Sequence, residues 1–223
     1  DGDGIGDGCE DANQNGQVDV SGDRVTETDP FDDDSDDDGI KDGIEDADHD
    51  GRFDANETHP LRADTDGDGI DDGVEDRNLD GEVALWVDAD GDGCFTDGDE
   101  PGESDPRTMD SDMDLIADYH EDQNLDGLCG IDETCAFLVD TDCDALPDGR
   151  EDKNRDGVFN SHETDPLRAD SDADGILDGL EDANQNGVWD RGLETSPRHF
   201  DSDGDHIADG VEDRNQNGRL DGF

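Results

Sequence analysis

The sequence predicts a linear array of irregular, loop-built repeats with little regular helix or strand, and three observations carry that expectation. The composition is too acidic for an ordinary core: 72 Asp and Glu stand against 14 Lys and Arg in 223 residues, a formal charge of −58. Leu, Ile, Val and Phe together make up about 17% of the chain, which is the composition of a disordered polyacid. Against plain disorder stands a basic period of 30 residues, the mark of a solenoid or linear array. Within each period glycine and carboxylates recur in two tandem twelve-residue loops, a regularity that a solvated acidic tail has no reason to keep.

The stretch 34–62 contains the complete unit. Its first loop places Asp34, Asp36, Asp38, Asp42 and Glu45 at positions 1, 3, 5, 9 and 12, with Gly39 at position 6 and the Ile40 carbonyl at position 7. The second loop follows at once with Asp46, Asp48, Asp50, Asp54 and Glu57, Gly51 at the turn and the Arg52 carbonyl at position 7. This is the ligand spacing of an EF-hand calcium loop, where glycine permits the sharp turn and the last carboxylate binds through both oxygens. Two carboxylates about 4 Å apart repel by roughly 4 kcal/mol at an effective dielectric near 20. A compact cation-free chain is therefore not expected. A hard dication that takes about six to eight oxygens turns the same crowding into binding, so that folding and calcium binding become one process.

Repeats are expected at 1–33, 34–63, 64–109, 110–139, 140–169, 170–200 and 201–223, the first and last truncated as in a window of a longer array. The first offers Asp1, Asp3, the Ile5 carbonyl, Asp7 and Glu10, then Asp11, Asn13, Asn15, the Gln17 carbonyl and Asp19, with five extra residues before Glu27. The third offers Asp64, Asp66, Asp68, Ile70, Asp72 and Glu75, then Asp76, Asn78, Asp80 and Glu82, with a sixteen-residue insertion before Glu103. That insertion, 84–100, is itself a candidate loop through Asp88, Asp90, Asp92, the Cys94 carbonyl and Asp99. The fourth places Asp110, Asp112, Asp114, Ile116, Asp118 and Glu121 ahead of Asp122, Asn124, Asp126, Leu128 and Glu133. The fifth has Asp140, Asp142, Asp144, Leu146, Asp148 and Glu151, followed by Asp152, Asn154, Asp156, Val158, Asn160 and Glu163. The sixth has Asp170, Asp172, Asp174, Ile176, Asp178 and Glu181, followed by Asp182, Asn184, Asn186, Val188 and Asp190. The seventh has Asp201, Asp203, Asp205, Ile207, Asp209 and Glu212, followed by Asp213, Asn215, Asn217, Arg219 and Asp221.

Full EF-hand helices cannot flank these loops, because Glu45 is followed directly by Asp46 and the short connectors often carry proline, so helices are limited to single turns. Leu115 and Ala145 stand where the turn glycine belongs, as does His206, and strain is expected at the first two. Ile5, Ile40, Ile70, Ile116, Ile176 and Ile207 are expected to pack while their carbonyls face metal, and the apolar position 8 of second loops, such as Phe53 and Phe159, to make a small packing contact. Five cysteines, an odd number, sit at irregular places; Cys129 and Cys135 are close enough in sequence to bridge, and Cys143 competes for either. The charge excludes nucleic acid as a partner, and no apolar run has membrane-spanning length. No nucleophile elbow or zinc helix motif is present, and carboxylate pairs carry no information in so acidic a chain, so no enzyme is expected.

The strings DTDGDGIDDGVEDRNLDG (64–81), DSDADGILDGLEDANQNG (170–187) and DSDGDHIADGVEDRNQNG (201–218) resemble thrombospondin type 3 repeats in their bacterial tandem form. The resemblance covers nearly the whole chain, departing from the animal family in its few, irregular cysteines. It implies an extended, calcium-loaded extracellular wire that links or projects other domains. The expected function is thus a secreted or cell-surface structural protein: a calcium-rigidified stalk, adhesin segment or filament subunit, able to assemble with copies of itself. The alternative is a calcium buffer or sensor. A sensor opens a methionine-rich groove between helices, and only Met109 and Met113 are available here.

Overall fold

Each repeat is built from loops that close on their own first carboxylate. The position-6 N–H of Gly39 donates to Asp34 Oδ2 at 3.0 Å, and Gly51 does the same to Asp46 at 2.7 Å. The bond requires a left-handed backbone at position 6, which Leu115 (φ 91°), Ala145 (φ 79°) and His206 (φ 80°) adopt in place of glycine. Position 4 is left-handed as well, whatever occupies it: Asp37, His49, Leu79, Met113, Cys143, Arg155 and Ala173 all have φ between 57° and 66°. The computed structural model describes residues 2–11, 13–21, 24–25, 27–89, 91, 94–96 and 99–219. The expected ligands Asp1, Asp90, Asp92 and Asp221, and the side chain of Asp7, lie outside the described residues.

Positions 9 to 12 of every first loop form one helical turn: α1 (Asp7–Glu10), α2 (Asp42–Glu45), α3 (Asp72–Glu75), α4 (Asp118–Glu121), α5 (Asp148–Glu151), α6 (Asp178–Glu181) and α7 (Asp209–Glu212). Each stops there because the next residue opens the second loop. Asp46 still donates its N–H to the Asp42 carbonyl at 2.8 Å, but at ψ 78° it has left the helical region. Where the first repeat is lengthened, β1 (Val20–Ser21) pairs antiparallel with β2 (Arg24–Val25), Val20 opposite Val25. The insertion is closed in a similar way by an antiparallel bridge between Val87 and Glu100.

Successive repeats stack through two backbone approaches. At position 10 the N–H of Gly149 donates to Asp114 Oδ2 of the preceding repeat, Gly179 to Asp144 and Gly210 to Asp174, at 2.5 to 2.9 Å. The carboxylate thereby satisfies a helix-terminal donor that has no intrahelical acceptor. A Cβ at Gly149 would sit 2.2 Å from the Asp114 carbonyl, and one at Gly187 in the second loop 2.5 Å from the Arg150 carbonyl, so glycine permits both contacts.

The apolar interior is centred on the position-7 aliphatic side chains: Ile5, Ile40, Ile70, Ile116, Leu146 and Ile176 are buried. Burying one such side chain contributes about 2–3 kcal/mol, while ordering a residue costs about 1–2 kcal/mol, so packing does not hold the array by itself. Ile207 departs from the expected packing and is 43% exposed, because no further repeat covers it among the described residues. The position-8 aromatics Phe53 and Phe159 are half-exposed, and Phe53 makes a small packing contact, stacked on His59 at 4.7 Å. Among the described residues no helix is long and apolar enough to cross a membrane.

Cys129 pairs with Cys135, while Cys143 pairs with Cys94 across 49 residues and so takes neither of the partners open to it in the sequence. Cys9 keeps an exposed thiol. The second bridge ties the insertion of the third repeat to the first loop of the fifth. Phe95 of the insertion meets Phe137 edge-on at 5.8 Å, and Ala136 and Leu138 are buried beside it. The apolar connector 136–139 is therefore mostly covered within the chain, leaving Val139 and Leu85 exposed.

Candidate metal centres

In the first loops the carboxylates of positions 1, 3, 5 and 12 converge. Oxygens of Asp34, Asp36 and Asp38 all lie within 4.8 Å of one another. Asp34 Oδ1, both oxygens of Asp36, and Asp38 Oδ2 are buried without a hydrogen-bond partner; so are Asp110 Oδ1 with Asp112 Oδ2, and Asp170 Oδ1 with Asp172 Oδ2. Glu121 and Glu151 are fully buried with neither oxygen hydrogen-bonded. The opposite oxygens are engaged: Asp38 Oδ1 accepts the Ile40 N–H at 2.7 Å, and Asp144 Oδ1 that of Leu146 at 2.6 Å. One edge of Asp38 thus shapes the loop while its other oxygen is left for the cluster, and Asp36 leaves both of its oxygens to it.

Burial, reinforced by the neighbouring aspartates, pushes Glu45, Glu75 and Glu181 up to about 10 and Glu151 up to about 11. Asp112 and Asp142 rise to about 8 from the same two causes, and burial takes Asp148 to about 9. Buried anions of this kind must be neutralised or paired. An all-oxygen donor set with several inward carboxylates suits a hard cation, so the acidic clusters can hold a metal ion.

The clusters also cross repeat junctions. Asp38 and Glu45 of one repeat gather with Asp72, position 9 of the next, within 4.8 Å, as Asp3 and Glu10 do with Asp42. Farther along, the charge of Asp118 acts on Glu75, that of Asp148 on Glu121 and that of Asp178 on Glu151. The loop 201–212 lacks a described follower, and there Asp203 and Asp205 are exposed.

The position-9 carboxylate is fixed by a residue that the ligand spacing does not single out. Thr65, at position 2, donates its N–H to Asp72 Oδ1 at 2.7 Å and its hydroxyl to Oδ2 at 2.6 Å. The same hydroxyl accepts the connector N–H of His59 at 2.8 Å. Ser35, Ser111 and Thr141 bind Asp42, Asp118 and Asp148 in the same manner. A hydroxyl residue recurs at position 2 in all six complete first loops (Ser171 and Ser202 complete the set), a signal available in the sequence.

Second loops differ in that backbone donors already meet their closing glutamate. Glu57 accepts the Asp54 N–H at 3.0 Å, Glu103 accepts Asn78 and Ala84, and Glu163 accepts Lys153 and Asn154. Gathered oxygens remain: Asp46 with Asp48 and Glu57, and the exposed Asp48, Asp50 and Asp54. In the sixth repeat the closing residue is Glu194, buried and accepting the Asp190 N–H at 2.7 Å; a one-residue shift beyond position 12 hid it from the spacing. Asn184 and Asn186 turn their amides to Asp190, and Asn13 and Asn15 theirs to Asp19. In the insertion Asp99 accepts the N–H groups of Ala89 and Thr96, which hold its carboxyl below the usual range. Comparison of the chain with protein-family models, characterised proteins and solved structures found no match.

Proposed function

We propose that this chain is an extracellular, calcium-binding structural array, a stalk, adhesin segment or filament subunit whose stiffness comes from the ions it binds. The observation that carries the proposal is the row of buried, unpartnered carboxylate oxygens recurring in the second to sixth repeats, beside a slight hydrophobic core. In the first loops Asp34, Asp36, Asp38 and Glu45, and their counterparts in each repeat, hold the ion, and the second loops hold another. Calcium supplies the neutralising charge; the chain supplies preformed turns, inward-facing oxygens and exclusion of water around them. Two disulfides in the described residues suit an oxidising compartment, and millimolar extracellular calcium suits loops of modest affinity. Self-assembly is part of the proposal, with Leu85, Val139 and Phe159 among the exposed apolar groups available for lateral contact. Calorimetric titration of the apo chain tests the reading: about two ions per repeat at roughly 0.1–1 mM are expected, with a shrinking hydrodynamic radius. Absence of calcium uptake, or a radius that calcium leaves unchanged, rejects it. Electron microscopy in millimolar calcium tests assembly separately, and isolated monomers reject that part.

A further inference from the structure

Resting on the calcium reading, we infer that the position-2 hydroxyl of each first loop is a positioning group for the cation site of the repeat before it. Thr65 belongs to the third repeat, yet the carboxylate it fixes, Asp72, gathers with Asp38 and Glu45 of the second. Two bonds from Thr65, through its N–H and its hydroxyl, set both oxygens of Asp72. The hydroxyl is itself anchored because it accepts the His59 N–H at 2.8 Å. A methyl in place of that oxygen keeps the volume but leaves Asp72 free to rotate away from the junction and leaves the His59 N–H without its acceptor.

An independent observation indicates that the cluster across the junction is a ligand site. Glu121 and Glu151, at the equivalent place in later repeats, are fully buried with both oxygens unpartnered, and the charges of Asp148 and Asp178 bear on them across the junction. Each repeat therefore completes its predecessor's site, and the hydroxyl is the element that aims the contributed carboxylate. Removing an outer-shell partner of this kind costs on the order of tenfold or more in metal affinity.

The test uses the full chain in a calcium titration followed by hydrogen exchange, with segments 34–45 and 64–75 measured separately. In Thr65→Val the calcium midpoint for protecting 34–45 is expected to rise about tenfold, while Thr65→Ser stays near wild type and 170–181 does not move. Thr141→Val, read at 110–121, repeats the experiment at a second junction should Thr65→Val fail to fold. A shift confined to the mutated repeat's own loop, or no shift in either variant, overturns the inference, because a purely local structural role predicts that pattern. Loss of calcium-dependent protection in the wild-type chain is a distinct outcome that rejects the calcium reading and this inference together.

Discussion

Raising the pH should have opposite effects on this chain with and without calcium. In the compact cation-free state Glu45, Glu75 and Glu181 ionise only near about 10 and Glu151 near about 11, against an ordinary value of 4.5. At neutral pH the compact state must hold those protons while the expanded chain releases them. The cost is set by the interval between pH 7 and the expanded-chain value, about 3 kcal/mol per group. Four such groups cost on the order of 10 kcal/mol, as much as the whole stability of a typical domain. Because the compact-state values are raised, this cost is absent below about pH 4.5 and grows as pH climbs toward about 10. Calcium binds only the ionised carboxylates, so in its presence protons compete with the ion and the dependence inverts. Small-angle scattering in chelator should show a radius that grows from about pH 4.5 to about pH 7, and in millimolar calcium a radius that falls over the same interval. Equal radii at both pH values in chelator would refute the argument that the glutamates oppose compaction.

Glu45→Ala removes the closing carboxylate of one first loop and should expose 34–57 and the adjoining junction to limited proteolysis, leaving 140–219 resistant; uniform destabilisation of all repeats contradicts nearest-neighbour stacking. Leu115→Gly relieves a side chain held at φ 91° that is largely exposed, so a gain of about 1 kcal/mol is expected in thermal melts in calcium. Cys143→Ser opens the bridge to Cys94 that spans 49 residues. Loop-closure entropy puts its effect at about 4 kcal/mol, to be measured by hydrogen exchange over the third to fifth repeats, with the sixth and seventh unchanged.

The gathering of carboxylates was largely legible because it rests on residue types whose chemistry is narrow. Carboxylates at positions 1, 3, 5 and 12 gather as their spacing implies, and the lack of room between Glu45 and Asp46 limits each helix to one turn. What escaped depends on three-dimensional neighbours. The left-handed backbone at position 4 leaves no trace, since Asp37, Met113, Cys143 and Ala173 share it without sharing chemistry. Crossing of the junction by Asp72 was hidden because its spacing equally suits a ligand of its own loop, and only the stacking shows which repeat it serves. Phe53 and Phe159 stay half-exposed, because the side chain that each first loop buries is the aliphatic one at position 7.

The two long departures from the regular period enter at one address, between the body of a second loop and its closing glutamate. The ribbon of the first repeat and the long excursion of the third each end by returning Glu27 or Glu103 to the same amide groups, Glu27 to the Asn13 side chain and Glu103 to Asn78. Closure there is made by a side chain reaching back, so the number of residues in between does not enter the geometry of the loop. In the first and third repeats the chain thus takes in added residues, in the third a cross-link as well, while the closing contact stays in place.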